Sequence, residues 1–350
     1  MRIAQVAPLF ESVPPHTYGG TERVVSYLTE ELVRGGADVT LFASGDSRTR
    51  AELDPICARA LRLDPECRDS LAPTIRLLER VARRAHEFDV VHFHIDYLHF
   101  PLSRRLGVKQ LTTLHGRLDT RELQAVFDEF ADMPVVSISL AQRRPLAQAR
   151  FIGNVYHGLP LDLYRFEPEP DDYLAFIGRV SPEKRVDRAV AIARRLGMRL
   201  RVAAKIDRHD REYYEREVAG LFADPLVEYV GEIGEDDKGA FLGKARCLLF
   251  PVDWPEPFGL AMIEAMACGT PVVAFRCGSI PEVLDEGVTG YCVDSLEAAA
   301  AAAARAMTLD RRRCRERFER RFSAERMARD YMRLYGAIVE DRGGGVAASP

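Results

Sequence analysis

Residues 254–273 read W-P-E-P-F-G-L-A-M-I-E-A-M-A-C-G-T-P-V-V, and this pattern predicts a loop, a helix and a strand in succession. The apolar run 247–250 just before it predicts a short strand. Two prolines keep the loop extended, because each fixes its own φ and disfavours helix in the residue before it. Apolar residues at helical spacing follow Gly259, and Gly269 is placed to end that helix before two strand-forming valines.

This unit contains two carboxylates, Glu256 in the loop and Glu264 inside the helix. An acid within the apolar half of a short helix costs free energy unless it has a polar partner there. The backbone N–H groups of Phe258 and Gly259, at the predicted helix N-terminus, suit a polar or anionic ligand. The alternative is that Glu264 lies on the solvent side and Glu256 is an ordinary loop acid.

The run from Glu256 through Gly259 to Glu264 resembles the signature of the retaining, nucleotide-sugar-dependent glycosyltransferases of family four, the glycogen-synthase-like glycosyl transferases group 1. The resemblance implies the α/β fold called GT-B, in which two Rossmann-like domains face each other. Each domain has a parallel sheet flanked by helices, and the last helix crosses back to the N-terminal domain.

The domain limits follow from that resemblance. We expect an N-terminal acceptor-side domain at 1–160, completed by the final helix at 323–341, and a C-terminal nucleotide-sugar domain at 161–322. A Pro- and acid-rich segment near residue 170 has the composition of a linker. We expect a disordered tail at 342–350.

Length and composition agree with a two-domain α/β protein. The 350 residues exceed one usual core, and the net charge of −4 argues against nucleic-acid binding. No apolar run reaches membrane-spanning length. The N-terminus lacks a signal-peptide layout and the seven cysteines lack a C-x-x-C pair, so we expect thiols in a reducing cytoplasm and no zinc site.

The N-terminal sequence predicts a βαβ unit. A strand from Ile3 leads to a loop that ends in Gly19 and Gly20, and Thr21 is a suitable N-cap for the helix that follows. The glycine spacing is not G-x-G-x-x-G and no acid stands at the dinucleotide ribose position, which disfavours NAD. The resemblance implies that the Gly19 and Gly20 amides approach the diphosphate of the donor.

The second half opens with a similar unit. A strand at 173–178 is followed by Arg179 and, five residues on, Lys184, with Ser181 as the predicted N-cap and Pro182 at the first helical position. Two cations at a strand-to-helix turn supply the charge and the bidentate donor that a diphosphate needs. The alternative is that both are solvated, but the Gly-Arg…Lys pattern of the family favours a phosphate role.

Three alternating residues, His92, His94 and Asp96, resemble metal ligands on one strand face. An amphipathic helix precedes this strand, as in a regular βα repeat, and no further His follows directly as in di-metal hydrolases with a similar run. We therefore expect no metal, and expect the histidines to line the cleft at the carboxyl end of a central strand.

The resemblance assigns the remaining site residues. His115 ends the strand at 110–114, where a lone His is usually structural, but family members carry a His there beside the donor sugar. The nucleobase is held largely by backbone groups near Ile233. Leu260 belongs to the donor site together with Phe258 and Gly259.

The implied reaction moves a hexose from a UDP- or GDP-sugar to a hydroxyl of a sugar, a lipid or a natural product, with retention of anomeric configuration. Arg179, Lys184 and the glycine amides would stabilise the leaving diphosphate, so neither a metal nor another cofactor is expected. Glu256 would accept sugar hydroxyls and Glu264 the ribose hydroxyls. His115, Arg179, Lys184 and Glu256 are thus the predicted catalytic residues.

The sequence leaves open two alternative functions and the role of one arginine-rich segment. A GT-B-fold nucleotide-sugar epimerase would share the fold, and a non-catalytic sugar-nucleotide-binding protein would share the site. The arginine run 311–321 is interpreted as a solvated helix face or as a peripheral contact with an anionic acceptor or a lipid surface.

Overall fold

The computed structural model of the protein describes residues 1–16 and 19–340, so the tail expected at 342–350 lies outside the described residues. The chain divides into two compact units. The first contains Met1–Gly158 and the chain from Ala324 onward, and the second contains Leu159–Ser323. Each unit is built on one parallel sheet.

The first unit has seven parallel strands in the order β3-β2-β1-β4-β5-β6-β7. They are β1 (Arg2–Val6), β2 (Asp38–Ala43), β3 (Glu52–Pro55), β4 (Val90–Phe93), β5 (Gln110–Thr113), β6 (Val135–Ser137) and β7 (Phe151–Asn154). Its helices are α1 (Gly20–Arg34), α2 (Leu71–Arg84), α3 (Phe100–Leu106), α4 (Arg121–Glu129), α5 (Leu140–Arg143) and, from the end of the chain, α14 (Ala324–Glu340).

The second unit has six parallel strands in the order β10-β9-β8-β11-β12-β13. They are β8 (Leu174–Arg179), β9 (Leu200–Lys205), β10 (Val227–Gly231), β11 (Cys247–Phe250), β12 (Val272–Phe275) and β13 (Gly290–Val293). Its helices are α6 (Val186–Leu196), α7 (Arg211–Tyr213), α8 (Ala219–Phe222), α9 (Glu235–Gly243), α10 (Leu260–Ala267), α11 (Ile280–Val283), α12 (Leu296–Ala306) and α13 (Arg311–Phe322).

Strands that are buried on both faces are continuous apolar runs, and β11 and β12 are of this kind. Every residue of β11 and of β12 is buried. The first sheet departs from this rule at Gln5, His92 and Thr113, which are polar and fully buried on three adjacent strands. Buried polar groups of this kind need hydrogen-bond partners.

The final helix belongs to the first unit, as the sequence predicts. Helix α14 packs against α1 and β4. Its buried residues include Met327, Tyr331 and Tyr335, at helical spacing. The two tyrosines thereby bring hydroxyl groups to the buried polar residues of the first sheet.

The predicted start of the helix after β8 is wrong. Ser181 and Pro182 lie in a turn instead, and the helix begins at Val186. The backbone N–H groups of Lys184 and Arg185 donate to the carbonyl of Ser181, and Arg185 then takes a left-handed conformation with φ of 53°. The turn therefore delays the helix and leaves Lys184 outside it.

The start of α1 also differs by a residue or two. The helix begins at Gly20, Gly19 occupies the cap position, and Thr21 lies inside the first turn. No side chain caps this helix start, whereas the sequence predicts that Thr21 does.

The arginines of α13 form a solvated face only in part: Arg312, Arg313 and Arg320 are exposed, and the others contact the protein. Arg311 donates to the carbonyls of Glu167, Ala245 and Gly243, and Arg315 donates to those of Tyr164 and Leu161. Arg317 and Arg321 both pair with Asp285. These contacts tie α13 to the rest of the second unit.

Among the described residues, no helix combines the length and the apolar composition needed to cross a bilayer. All seven cysteines are free thiols.

Candidate active site

Each sheet has a point at which the strand order reverses. In the second sheet the chain builds outward from β8 in one direction and from β11 in the other, and in the first sheet the same holds for β1 and β4. Loops that leave two such neighbouring strands diverge, and the gap at their carboxyl ends is where ligands of open α/β sheets bind. Arg179 ends β8 and Glu256 lies in the loop after β11, so both stand at this point of the second unit.

Lys184 and Glu256 are in direct contact. The Nζ atom of Lys184 lies 2.7 Å from Oε2 of Glu256, and the indole Nε1 of Trp254 donates to the same oxygen at 2.8 Å. The Lys184 ammonium also lies 4.9 Å from the centre of the Trp254 ring and 5.6 Å from that of Phe250. A cation held against aromatic faces and a carboxylate is fixed in place before any ligand arrives.

Arg179 belongs to a second set of charges on the same turn. Its guanidinium pairs with Glu183, and its Nε lies 3.1 Å from Oδ2 of Asp210. Burial raises the pKa of Asp210, although the charge of Arg179 opposes the shift. The structure thus places Arg179 at the end of β8 and Lys184 in the turn that follows, each with its own carboxylate partners.

The loops after β8 and β11 are bonded to each other. The backbone N–H of Asp253 donates to the carbonyl of Glu183 at 2.8 Å, and the Asp253 carboxylate accepts from Arg185 and Arg188, each at 2.8 Å. These contacts hold the turn that contains Lys184 against the loop that contains Glu256.

The loop after β12 is hydrogen-bonded to the loop that contains Glu256. The N–H of Ser279 donates to the carbonyl of Glu256 at 2.9 Å, and the Ser279 hydroxyl donates to the carbonyl of Phe258 at 2.9 Å. Gly278 has φ of +54°, and a Cβ there would lie 2.3 Å from the Glu256 carbonyl oxygen. Only glycine allows this close approach.

The start of α10 lies beside the Glu256 loop. Gly259 caps the helix in a left-handed conformation with φ of 86°, Leu260 opens its first turn, and Phe258 is buried just before it. The Phe250 ring lies 3.4 Å from the position that a Cβ of Gly259 would take. The same ring lies beside the Lys184 ammonium, so Phe250 is next to both the start of α10 and Lys184.

Glu264 is buried, so the solvent-side interpretation is wrong. Its Oε1 lies 2.8 Å from Nζ of Lys238 on α9, and Lys238 also lies 3.5 Å from Glu235. The N–H of Lys238 donates to the carbonyl of Gly234, which places this lysine one turn after Gly234. Lys238 thus joins the predicted ribose residue, Glu264, to the first turn of α9.

The first unit carries the remaining predicted residues. Gly19, with φ of 151°, stands directly before α1, and a Cβ there would lie 2.8 Å from Cβ of Pro15. Gly20 is the first residue of α1, so both glycines lie at a helix N-terminus after β1. His115 follows β5 and is partly buried.

His92 and His94 are buried rather than lining an open cleft, which corrects the sequence-based expectation. The ring nitrogens of His92 lie 2.7 Å from the Tyr335 hydroxyl and 2.7 Å from the Thr113 hydroxyl. Those of His94 lie 2.7 Å from Oε1 of Gln5 and 2.9 Å from Nε2 of His115. Sequence alternation places the side chains of His92 and His94 on the same side of the chain, but it does not show that α14 contacts His92.

These imidazoles are neutral at physiological pH. Burial lowers the pKa of His92 and of His94 well below 6.5, and it lowers the pKa of His115 to about 3. Across residues 1–16 and 19–340, no three His, Cys, Asp or Glu side chains are grouped as a metal site would require.

Several residues of the site carry no local sequence signal of their role. Lys238 is an ordinary helical lysine in the sequence, and only the packing of α9 against α10 brings it to Glu264. Gly278 and Ser279 follow a strand, as many turn residues do, and their contact with the Glu256 loop is tertiary. Trp254 is the only tryptophan, which alone could have drawn attention to it.

Comparison with known families decides the class of protein. The profile described as Glycosyltransferase Family 4 matches residues 18–210, and the one described as Glycosyl transferases group 1 matches residues 165–322. The chain belongs to glycosyltransferase family 4. It is therefore an enzyme of the glycosyltransferase class, and the family resemblance read from the sequence is confirmed.

Named relatives agree with this assignment. Alpha-maltose-1-phosphate synthase of Mycolicibacterium smegmatis is 27% identical over 365 residues, covering 89% of this chain and 92% of that protein. D-inositol 3-phosphate glycosyltransferase of Pseudarthrobacter chlorophenolicus is 24% identical over 343 residues, covering 80% of each.

Solved structures confirm the GT-B fold. AviGT4, a glycosyltransferase involved in avilamycin A biosynthesis, has a TM-score of 0.73 at 22% identity and covers 97% of this chain and 98% of its own. Sucrose-phosphate synthase of Thermosynechococcus elongatus has a TM-score of 0.76 at 21% identity, with 96% and 98% covered. Anabaena HepE, crystallised with UDP and glucose, has a TM-score of 0.74 at 18% identity, with 96% and 100% covered.

Proposed function

We propose that this glycosyltransferase moves a hexosyl group from a nucleoside diphosphate sugar, UDP- or GDP-linked, to an acceptor hydroxyl with retention of anomeric configuration. The observation that carries the proposal is the Lys184–Glu256 contact at the point where the strand order of the second sheet reverses. The Lys184 ammonium, which suits a phosphate, thereby lies 2.7 Å from the Glu256 carboxylate, which suits sugar hydroxyls. HepE, whose structures contain UDP and UDP-glucose, supports a nucleotide-sugar donor.

In this proposal Lys184 and Arg179 face the diphosphate of the donor. Both cations are held by carboxylates, Lys184 by Glu256 and Arg179 by Glu183 and Asp210. Donors that are fixed beforehand stabilise developing charge without reorganising during the reaction. A diphosphate would share these cations with the carboxylates.

Glu256 would accept hydroxyls of the transferred sugar, beside the N–H groups of Phe258, Gly259 and Leu260 at the start of α10. Glu264 would accept the ribose hydroxyls, and Ile233 would lie against the nucleobase. Since Lys238 holds Glu264, the ribose would meet a carboxylate that is already oriented.

For retention, the leaving phosphate oxygen would take the proton of the incoming hydroxyl on the same face of the sugar. The new glycosidic bond then forms as the bond to the diphosphate breaks, and no protein nucleophile is needed. The protein stabilises the departing diphosphate, a contribution of several kcal/mol for such fixed donors. The reaction would proceed without a divalent ion or other cofactor, and the acceptor would be a sugar, lipid or natural-product hydroxyl.

A two-step experiment tests this proposal. Thermal-shift screening of UDP- and GDP-sugars first identifies the donor, because a ligand of the folded state raises the midpoint of unfolding. Release of nucleoside diphosphate is then measured in EDTA with a panel of acceptors, and NMR assigns the anomer of the product. Release that depends on acceptor and gives the donor's anomeric configuration supports the proposal.

Two outcomes would contradict it. Isomerisation of the donor without acceptor would indicate an epimerase, and donor binding without any release would indicate a non-catalytic binding protein. An inverted product would contradict the proposed stereochemistry while leaving the class of enzyme intact.

A further inference from the structure

The second unit contains a line of side-chain contacts that leads from Tyr164 to Glu264. The Tyr164 hydroxyl donates to Oε1 of Glu235, the first residue of α9. Oε2 of Glu235 lies 3.5 Å from Nζ of Lys238, and the same ammonium lies 2.8 Å from Oε1 of Glu264 on α10. The segment before β8 and the helices α9 and α10 therefore meet around one lysine.

Packing holds the tyrosine end of this line in place. The Tyr164 side chain is buried, and the Tyr164 carbonyl accepts from Arg315 at 2.9 Å. A Cβ on Gly239 would lie 3.1 Å from Cδ1 of Tyr164, so the ring lies against α9 where that helix has no side chain. The Tyr164 hydroxyl is thus fixed beside Glu235.

Lys238 lies between two carboxylates, and the distances show which of them it bonds. An ammonium has three N–H donors. Its 2.8 Å contact with Glu264 is a hydrogen bond, whereas the 3.5 Å separation from Glu235 is longer than one. Because the Tyr164 hydroxyl satisfies Glu235 from the other side, Glu235 competes less for the lysine. Lys238 therefore remains on Glu264.

Glu264 keeps one carboxylate oxygen available for a ligand. Among residues 1–16 and 19–340, Lys238 donates to Oε1, while Oε2 takes part in no hydrogen bond and is not closed to solvent. An ionised carboxylate accepts up to about four hydrogen bonds. Rotation of Glu264 away from Lys238 would leave two largely buried charges unpaired, so the carboxylate keeps its orientation. Two neighbouring hydroxyls, as on a ribose, match a carboxylate held in this way.

We propose that Lys238 and Tyr164 are positioning residues that fix the Glu264 carboxylate for the ribose hydroxyls of the donor, and that the site thereby selects ribonucleoside diphosphates over their 2′-deoxy forms. The ribose contact of Glu264 rests on the proposed function, whereas the roles of Lys238 and Tyr164 rest on the line of contacts that joins them to Glu264. A 2′-deoxyribose offers the oriented carboxylate one hydroxyl instead of two.

Titration calorimetry of the full chain with a nucleotide and its 2′-deoxy form measures this selectivity. The probes are UDP and 2′-deoxy-UDP, or the corresponding guanine pair, as the thermal-shift screen decides. We expect the wild-type protein to bind the 2′-deoxy form at least about tenfold more weakly, the scale of one hydrogen bond to a charged acceptor. Glu264→Gln should reduce that ratio of Kd values, which tests the ribose contact independently of Lys238.

Two variants test the positioning residues. In Lys238→Met the ratio should fall to about twofold, because Glu264 loses the bond that orients it. Tyr164→Phe is the milder change: it releases Glu235 to compete for Lys238 and should lower the ratio by about two- to threefold. The double variant Tyr164→Phe/Glu235→Gln should recover the ratio, since a neutral amide competes less for the ammonium than a carboxylate does.

Lys244→Met is the matched control, because it makes the same exchange at the other end of α9. Lys244 contacts Glu167 and the Glu169 carbonyl, each at 3.4 Å, and lies outside this line. It should keep the wild-type ratio. A ratio of Kd values separates positioning from packing, because damage to the fold weakens the binding of both nucleotides alike.

Circular dichroism in the presence of nucleotide confirms that each variant is folded. If Lys238→Met does not fold, Tyr164→Phe and its double variant decide the question. A wild-type ratio in folded Lys238→Met or in folded Tyr164→Phe, with a reduced ratio in Glu264→Gln, would overturn the proposal and leave the ribose assignment intact. Equal binding of both nucleotide forms by the wild-type protein, with an unchanged Kd in Glu264→Gln, would overturn the ribose assignment and the proposal with it.

Discussion

Lys184 and Glu256, which lie on different loops, form a direct ion pair with Nζ and Oε2 2.7 Å apart. The two residues come from the turn after β8 and the loop after β11, neighbouring strands at which the order of the second sheet reverses. The contact therefore marks the place where the fold itself predicts a ligand. A donor that binds there meets a cation and a carboxylate already held together.

Loss of the Lys184 ammonium should impair catalysis more than binding. We expect Lys184→Ala to lower turnover at least about a hundredfold, the scale of one lost donor to developing charge. The assay is nucleoside diphosphate release at saturating donor. Lys244→Ala is the control, because Lys244 makes only surface contacts of 3.4 Å with Glu167 and the Glu169 carbonyl. Near wild-type turnover by folded Lys184→Ala would exclude the phosphate role.

Gly278 should be irreplaceable because backbone fills the space around it. In Gly278→Ala the new Cβ would lie 2.3 Å from the Glu256 carbonyl oxygen and 2.5 Å from its nitrogen, so the Glu256 loop must move. We expect at least about a tenfold loss of kcat/KM, since small displacements of positioning groups have large effects. The measurement is steady-state kinetics together with a thermal melt.

Gly287→Ala is the matched control for Gly278→Ala. Gly287 has φ of +72°, but a Cβ there meets nothing within 4 Å. Gly287→Ala should lower the free energy of unfolding by about 1 kcal/mol, because alanine disfavours the left-handed backbone. It should leave kcat/KM unchanged. Equal kinetic effects in the two variants would contradict the steric argument.

Glu264→Gln should weaken binding of the nucleotide. The carboxylate is buried and oriented by Lys238, and an amide accepts hydrogen bonds from ribose hydroxyls less strongly than a carboxylate does. We expect about a tenfold increase in Kd for UDP or GDP by titration calorimetry, the scale of one charge-assisted bond. An unchanged Kd would contradict the ribose assignment.

The Lys238–Glu264 pair also predicts a stability effect. Both side chains are almost entirely buried, so Lys238→Met should leave an uncompensated buried carboxylate and lose roughly 3 kcal/mol. The double variant Lys238→Met/Glu264→Gln removes that charge and should recover part of the loss in urea unfolding. A double variant no more stable than Lys238→Met would show that packing, not charge, dominates.

Five histidines with lowered pKa values should make the protein acid-sensitive. Burial lowers the pKa of each well below the ordinary value of 6.5; they are His92, His94, His99, His115 and His157. The unfolded chain therefore takes up protons first as the pH falls through 6.5, and stability falls with it. At pH 5.5 each histidine lowers the free energy of unfolding on the order of 1 kcal/mol relative to pH 7.5.

Urea unfolding between pH 7.5 and 5.5 measures this slope above the range where ordinary carboxylates titrate. His99→Gln should reduce the slope by about one proton, because His99 is buried between Ser103 and Thr112. A slope that is the same in the wild-type protein and in His99→Gln would contradict the assignment of a buried, neutral His99.

Patterns that are local in the chain predicted most of the fold. The helical spacing after Gly259 and the stop at Gly269 correctly predict α10, and the apolar run 247–250 coincides with β11. The edge strands β3 and β13 were not predicted, because each has four residues and includes Pro or Gly.

Some sequence signals were misleading for physical reasons. Ser181 followed by Pro182 has the composition of a helix start, yet the chain forms a turn there and delays α6 to Val186. The sequence gives no sign of side-chain contacts between different helices and strands. The contacts of Lys238 with Glu264 and of His92 with Tyr335 depend on how helices pack, which residue spacing does not encode.

The most direct test of the account is a crystal structure of the chain with UDP or GDP, whichever the thermal-shift screen selects, joined to its sugar. The account predicts a diphosphate oxygen about 3 Å from Nζ of Lys184, a sugar hydroxyl at a similar distance from the Glu256 carboxylate, and the ribose on Glu264. A nucleotide bound elsewhere, with the Lys184–Glu256 contact still closed at 2.7 Å and without phosphate, would contradict it.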